Sequence, residues 1–243
     1  MAAVHEIGPA IQHLITEYQD DPVGFFRDVL NALPDTWQAQ FLRHVAGGKR
    51  RISVRAGHGV GKSTGCVGAI IWHMVTRFPQ KTIITAPTAG QLFDALFAEL
   101  KMWINRLPGP IKALFEMTSE KVTLKAAPEA SFVSARTSSA ERPEALAGVH
   151  SEHVLLIVDE ASAVPEAVFE SAAGSMSGEN ACTILIGNPT RNTGLFFRTH
   201  HELAREWTTM HVSCLDSPRV SADFVKQIKD TYGETSNAYR VRV

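Results

Sequence analysis

The stretch RAGHGVGKST at residues 55–64 decides the fold. It follows a short apolar run at residues 52–55 and opens a helical pattern, which is the strand–loop–helix setting that a P-loop requires. Glycines let backbone N–H groups approach phosphate oxygens closely, and the start of a helix favours negative charge. The stretch therefore predicts a site for a nucleoside triphosphate, and a glycine-rich turn without a ligand is the weaker alternative.

Each position of the loop has an expected role. Lys62 would reach the β- and γ-phosphates, and the Ser63 hydroxyl would coordinate Mg²⁺. Ala56 stands where the pattern prefers glycine, which is a small departure. The residues expected to bind the nucleotide here are Gly57, Gly59, Val60, Gly61, Lys62, Ser63 and Thr64.

A second signal is VLLIVDE at residues 154–160. The continuous apolar run is typical of a parallel strand covered on both faces, and Asp159 at its end would hold Mg²⁺ beside the P-loop. Glu160 would orient and deprotonate a water molecule for attack on the γ-phosphate. The pair favours ATP hydrolysis over the simpler alternative, an acidic helix start after a core strand.

Strands alternate with helices along the chain, which predicts an α/β sandwich of three layers with a mostly parallel sheet. We expect helices in residues 11–46, 62–77, 89–107 and 221–232, and strands at 52–56, 82–86, 122–124, 131–135, 154–158, 183–186 and 208–212. We divide the chain into a helical N-terminal lid region (1–46), a P-loop core (47–214) and a C-terminal connector (215–243). Residues 239–243 show no turn or capping signal.

Composition narrows the possibilities further. The formal net charge is -1, so a nucleic-acid partner cannot be argued from total charge, and the basic cluster at residues 49–51 fits a solvated turn equally well. The 3 cysteines show no C-x-x-C pattern, which argues against a disulfide framework or zinc knuckle. No apolar run approaches the ~20 residues of a membrane span, and no secretory signal is visible, so we expect a cytoplasmic protein without membrane contact.

Four short motifs accompany the P-loop: WQ at 37–38, TAPT at 85–88, DEAS at 159–162 and GNPT at 187–190. In this order they resemble the ATPase domain of the large terminase subunit, the DNA-packaging motor of tailed bacteriophages and prophages. The resemblance covers residues 21–243. It implies a RecA-like fold of the ASCE type, ATP hydrolysis with Mg²⁺, and translocation of double-stranded DNA into a procapsid.

The resemblance also implies roles for single residues. Gln38 would read the edge of the adenine. Asn188 and Thr190 would belong to a coupling motif that senses the γ-phosphate. From the residues alone, GNPT would instead be a plain turn after a strand, since glycine, asparagine and proline are turn formers.

Large terminases need an arginine that neutralises charge in the transition state. Arg55 would act within its own subunit, whereas Arg142 would reach a neighbouring subunit, with Arg136 as a further candidate. The implied partners are a homo-oligomeric ring, usually of five subunits, the portal protein and the small terminase subunit. The chain alone would be a monomer.

Large terminases usually carry a C-terminal nuclease, but after residue 186 only scattered acidic residues occur, without a second set of strands. We therefore expect an isolated ATPase domain that does not cut DNA. Three alternatives stay open: a helicase-like or repair ATPase with a second lobe, a P-loop phosphotransferase, and a nucleotide-binding scaffold without turnover. Glu160 argues against the phosphotransferase, and the scaffold would be indifferent to Glu160→Gln.

Overall fold

The computed structural model describes residues 8–137, 139 and 141–243. The strands in these residues are β1 (Arg51–Ala56), β2 (Gln80–Thr85), β3 (Phe115–Met117), β4 (Lys121–Leu124), β5 (Ser131–Ala135), β6 (His153–Val158), β7 (Asn180–Gly187) and β8 (Thr208–Val212). They form an 8-stranded sheet with the order β3-β4-β5-β2-β6-β7-β1-β8. From β5 to β8 all neighbours pair in parallel, while β4 pairs antiparallel with β3 and β5.

The helices surround this sheet. They are α1 (Gly8–Tyr18), α2 (Pro22–Asp28), α3 (Thr36–Ala46), α4 (Lys62–Thr76), α5 (Phe97–Arg106), α6 (Gly109–Lys112), α7 (Glu166–Ala172), α8 (Gly194–Thr199), α9 (Ala222–Tyr232) and α10 (Asn237–Arg242). None of the helices in the described part of the chain is long and apolar enough to cross a membrane.

The side chains of β6 show why the sheet is covered on both faces. Leu155 and Ile157 belong to the larger hydrophobic cluster, which contains most of α4. Val154, Leu156 and Val158 point the other way, into a smaller cluster with residues of α7 and α8. Because successive strand residues face opposite sides, a strand buried on both faces is apolar throughout. The expected three-layer α/β sandwich is confirmed.

The position of β7 defines the type of P-loop fold. It lies between β1, where Arg55 pairs with Gly187, and β6, where Val158 pairs with Leu185. One additional strand therefore separates the P-loop strand from the Asp159 strand, as expected for the ASCE type. Because parallel strands end at the same edge, the loops after β1, β6 and β7 meet there.

Three local features differ from the expectation. The helix expected at 89–107 begins with a π-helical segment, Gln91–Leu96, before α5. Strand β3 was not foreseen. Helix α10 was also not foreseen; it begins where the Ser236 hydroxyl accepts a hydrogen bond from the N–H of Tyr239 (3.1 Å).

Candidate active site

The P-loop has the backbone form that its glycines predict. Gly59 and Gly61 have φ angles of 73° and 85°, in the left-handed region that glycine enters without steric cost. Gly61 stands immediately before α4, so the N–H groups of the first helical turn point into the loop. A side chain at Gly61 would lie 2.9 Å from Nε2 of Gln38. The backbone conformation therefore favours glycine there, and a side chain would also displace the amide of Gln38.

Lys62 is folded back over its own loop. Its Nζ donates to the carbonyl of Gly57 (3.1 Å) and to Oδ1 of Asn188 (2.9 Å). Among the described residues it forms no ion pair with a carboxylate. A half-buried ammonium held by neutral oxygens retains its attraction for an anion such as a phosphate.

Asn188 connects three parts of the site. It is 4% exposed, and its Nδ2 donates to the carbonyl of Ala56 (2.7 Å) while lying 3.3 Å from Nδ1 of His58 and from the carbonyl of Val241. Its Oδ1 accepts from Lys62. The amide therefore contacts the end of β1, the P-loop and the end of α10 at once.

Asp159 follows β6 and is almost buried, at 7% exposure. Its N–H donates to the carbonyl of Thr85 (2.9 Å), and its Oδ1 accepts from the N–H of Glu160 (3.0 Å). Burial, reinforced by the charge of Glu160, raises the pKa of Asp159 to about 6, although the hydrogen bond and Lys62 act in the opposite direction. Burial raises the pKa of Asp159 by more than the charge of Lys62 lowers it. The negative charge of the carboxylate is therefore only partly compensated by its surroundings.

Glu160 has a φ angle of 46°, which is uncommon for a residue with a side chain and costs roughly 1–3 kcal/mol. Gly187 explains how it is held. A Cβ at Gly187 would lie 3.0 Å from Cα of Glu160 and 3.1 Å from the nitrogen of Ala161. The glycine of GNPT thus leaves room for the backbone that follows Asp159. The N–H of Asn188, the next residue, lies 3.5 Å from Oε2 of Glu160.

The DEAS and GNPT motifs are joined by a direct hydrogen bond. Thr190 Oγ1 lies 3.0 Å from Ser162 Oγ, and the N–H of Arg191 donates to the same oxygen at 3.0 Å. Ser162 is buried. The loop after β7 is therefore attached to the loop after β6 two residues beyond Glu160.

The first turn of α4 presents two hydroxyl groups. Ser63 is half-buried at the start of the helix. The Thr64 hydroxyl donates to Oε1 of Glu99 on α5 (2.8 Å), an atom that also accepts from the indole N–H of Trp103 (3.3 Å). The side chain of Thr64 is thus engaged by protein, and its contribution to nucleotide binding would come from its backbone.

Gln38 has partners other than the adenine edge assigned to it. It is 0% exposed. Its Oε1 accepts from the N–H of Asp35 (2.8 Å), and its Nε2 donates to the carbonyl of Gly61 (2.8 Å). Both ends of the amide are bonded to protein, so reading the edge of an adenine would require Gln38 to give up these hydrogen bonds, and that role stays a prediction.

The three candidate arginines have different surroundings. Arg142 is exposed in the loop between β5 and β6. Arg136 is half-buried and donates to the carbonyl of Ala145 (3.0 Å), which braces the same loop. Arg55 lies near two histidines: burial first, and the Arg55 charge second, lowers the pKa of His200 to about 4 and also lowers that of His211.

The C-terminal end of α10 lies against the P-loop. The N–H of His58 donates to the carbonyl of Arg242 (2.9 Å), and the thiol of Cys214 lies 3.1 Å from the carbonyl of His58. A Cβ at Gly57 would lie 2.6 Å from Sγ of Cys214 and 2.9 Å from the carbonyl oxygen of Val243. The loop is therefore packed between the sheet and the last helix.

Solved structures of two phage proteins share the fold. The ATPase domain of the Thermus phage P74-26 large terminase, as an arginine-to-alanine mutant, matches with a TM-score of 0.70 at 19% identity, over 91% of this chain and 97% of that one. The large terminase of the thermophilic bacteriophage D6E, in complex with ADP, matches with a TM-score of 0.64 at 16% identity, over 93% of this chain and 52% of that one. These matches show a RecA-like fold.

Sequence comparison gives the family. A family model described as "RNA cytidine acetyltransferase NAT10/TcmA, helicase domain" matches residues 53–218, more than half of the chain. The "Probable terminase, large subunit" of Enterobacteria phage P7 is 31% identical over 251 residues, which cover 97% of this chain and 50% of that protein. The chain belongs to this helicase-domain family and to the large terminase ATPase domains. It spans half the length of the curated relative.

Three residues contribute to this site of the large terminase ATPase domain in ways that the sequence motifs did not predict. Ser162 stands within DEAS, yet its partner Thr190 could not be inferred from spacing. The sequence indicated that Gly187 is a turn residue, whereas in the structure its lack of a side chain leaves room for the backbone of Glu160. Glu99 lies on another helix, and no sequence signal relates it to Thr64.

Proposed function

We propose that this chain hydrolyses ATP with Mg²⁺ and powers the translocation of double-stranded DNA into a procapsid. The observation that carries the proposal is the convergence of Lys62, Asn188, Asp159 and Glu160 at one edge of the sheet. The relatives support it: one is named a probable terminase large subunit, and another was solved with ADP.

The residues fit a magnesium ion. The nearly buried carboxylate of Asp159 lacks positive charge, and the Ser63 hydroxyl stands on the first turn of α4; both offer the oxygen ligands that Mg²⁺ prefers. No group of three or more His, Cys, Asp or Glu side chains in residues 8–137, 139 and 141–243 could hold a metal, so phosphate oxygens and water would complete the shell. Bound there, the ion would neutralise charge on the β- and γ-phosphates.

Hydrolysis would then proceed with the chain's own groups. Lys62 exchanges the carbonyl of Gly57 and the amide of Asn188 for phosphate oxygens. Glu160, held in its left-handed conformation against Gly187, accepts a proton from the water that attacks the γ-phosphorus, and the bond from that phosphorus to ADP breaks. Loss of the γ-phosphate returns Lys62 to Asn188, whose amide contacts α10.

Arg142 supplies the remaining charge. It is exposed and lies in a loop at the surface, whereas Arg136 is used to hold that loop. We propose that Arg142 reaches the nucleotide of a neighbouring copy in a homo-oligomeric ring, which works with a portal protein and a small subunit. In this arrangement residues 1–46, of which 1–7 lie outside the described part of the chain, form a lid. Residues 47–214 form the motor core, and 215–243 a connector whose α10 lies on the P-loop.

The test is ATP turnover per chain as a function of protein concentration, with Mg²⁺ and with or without duplex DNA. Wild-type turnover should rise with concentration and with DNA, while Glu160→Gln binds nucleotide without turnover and Lys62→Ala does neither. Turnover by Glu160→Gln at the wild-type rate would refute the hydrolytic assignment. ATP-driven unwinding of a duplex, without translocation of intact duplex, would favour a helicase instead, the class named by the family model.

A further inference from the structure

Two neighbouring side chains at the start of α3 hold the P-loop from outside. The indole N–H of Trp37 donates to the carbonyl of Val60 (3.0 Å), and Nε2 of Gln38 donates to the carbonyl of Gly61 (2.8 Å). The two donors are consecutive in sequence, and so are the two acceptors. Both side chains are buried, at 8% and 0% exposure. We call these two contacts the WQ clamp.

The clamp fixes more than two carbonyl groups. A peptide unit is planar and trans, so its carbonyl and the N–H of the following residue point in opposite directions. Holding the Val60 carbonyl toward Trp37 therefore aims the N–H of Gly61 the other way, and holding the Gly61 carbonyl aims the N–H of Lys62. These N–H groups belong to the set with which a P-loop cradles phosphates.

The clamp is itself held in place. Oε1 of Gln38 accepts from the N–H of Asp35 (2.8 Å), in the capping box of α3. The Asp35 carboxylate accepts from Nε of Arg219 (2.7 Å), and the Arg219 side chain comes within 3.1 Å of the position that a Cβ of Gly61 would occupy. The amide of Gln38 is thus oriented by its acceptor end and cannot turn toward a base without losing two hydrogen bonds.

We propose that Trp37 and Gln38 are positioning residues for the phosphate-binding N–H groups, and that Gln38 does not select the base. The inference rests on the proposed nucleotide site and gives the WQ motif a different task from recognition of adenine. It follows that the clamp acts on every ligand with a polyphosphate, whatever base that ligand carries.

Two variants remove the donors singly. Trp37→Phe deletes the indole N–H and keeps an aromatic ring. Gln38→Glu keeps an acceptor for Asp35 and places an oxygen against the Gly61 carbonyl. Trp72→Phe is the matched control, because it deletes an indole N–H bonded to the carbonyl of Tyr18 (2.7 Å), outside the P-loop. Circular dichroism and thermal unfolding establish that each variant is folded.

Affinity is measured by displacement of a fluorescent ADP analogue with ATP, GTP and inorganic tripolyphosphate, which has no base. Loss of one hydrogen bond should weaken all three ligands by the same factor, about 3- to 10-fold. The ratio of ATP to GTP affinity should stay at its wild-type value in Trp37→Phe and Gln38→Glu. Trp72→Phe should resemble wild type.

The inference is overturned if Gln38→Glu shifts the ratio of ATP to GTP affinity, or if it weakens ATP while leaving tripolyphosphate unchanged, since both results mean recognition of the base. It is also overturned if Trp37→Phe binds all three ligands as tightly as wild type. A wild-type chain that binds nucleotide without hydrolysing it under any condition would instead refute the proposed function and leave these comparisons of affinity valid.

Discussion

Replacing Asp159 with asparagine should make the unliganded protein more stable at neutral and alkaline pH. The folded state raises the pKa of this carboxyl from 3.8 to about 6, so the folded chain binds a proton more tightly than the unfolded chain. Stability therefore falls as pH rises from the unfolded pKa through the folded one. The penalty is about 0.6 kcal/mol at pH 4 and roughly 3 kcal/mol at pH 8.

Asparagine has nearly the same shape and keeps an oxygen to accept the N–H of Glu160, so Asp159→Asn removes the charge and little else. We expect the midpoint of thermal unfolding to rise by about 6–12 °C at pH 8 and by much less at pH 4. Exposed Asp94, replaced in the same way, is the control. A gain that is absent at pH 8, or equal at both pH values, would refute desolvation as the cause. ATP turnover should nevertheless be lost.

Four further substitutions test separate contacts. Gly187→Ala places a Cβ 3.0 Å from Cα of Glu160 and should lower the free energy of unfolding by about 1–3 kcal/mol, measured in urea, with at least tenfold slower turnover. Arg142→Ala should reduce turnover by about 10³-fold or more without altering stability, whereas Arg136→Ala should cost about 1 kcal/mol of stability through the loop it braces. Thr190→Val should keep nucleotide affinity measured by fluorescence but slow turnover; unchanged turnover would contradict a coupling role.

The sequence was sufficient where the signal is local or periodic. Continuous apolar runs predicted β6 and β7 as strands buried on both faces, and parallel pairing then required their following loops to meet at one edge. The P-loop was equally predictable, because its glycines and lysine act within one strand–loop–helix unit. The parallel strands and the P-loop unit together predict that Lys62, Asp159 and Asn188 lie close to one another.

Features that depend on distant partners could not be read in the same way. The role of Gly187 becomes visible only when the backbone of Glu160 is packed on it. The resemblance assigned Gln38 to the edge of the adenine, but no motif signals its hydrogen bonds to Asp35 and to Gly61 of the P-loop, the latter 23 residues away in sequence. Helix α10 was missed because Ser236 is a single polar residue whose capping depends on the chain around it.

Because α10 contacts the P-loop, a fluorescent label on this helix could be used to follow events at the P-loop. Cys66 and Cys214 are buried and Cys182 is half-buried, and burial raises the pKa of all three thiols, so they react slowly with maleimide dyes. Arg240 is exposed on α10, and a cysteine introduced there would be labelled selectively. A fluorophore at that position would sit two residues from Arg242, whose carbonyl accepts from the N–H of His58, so its emission would report each exchange of ligand in the loop.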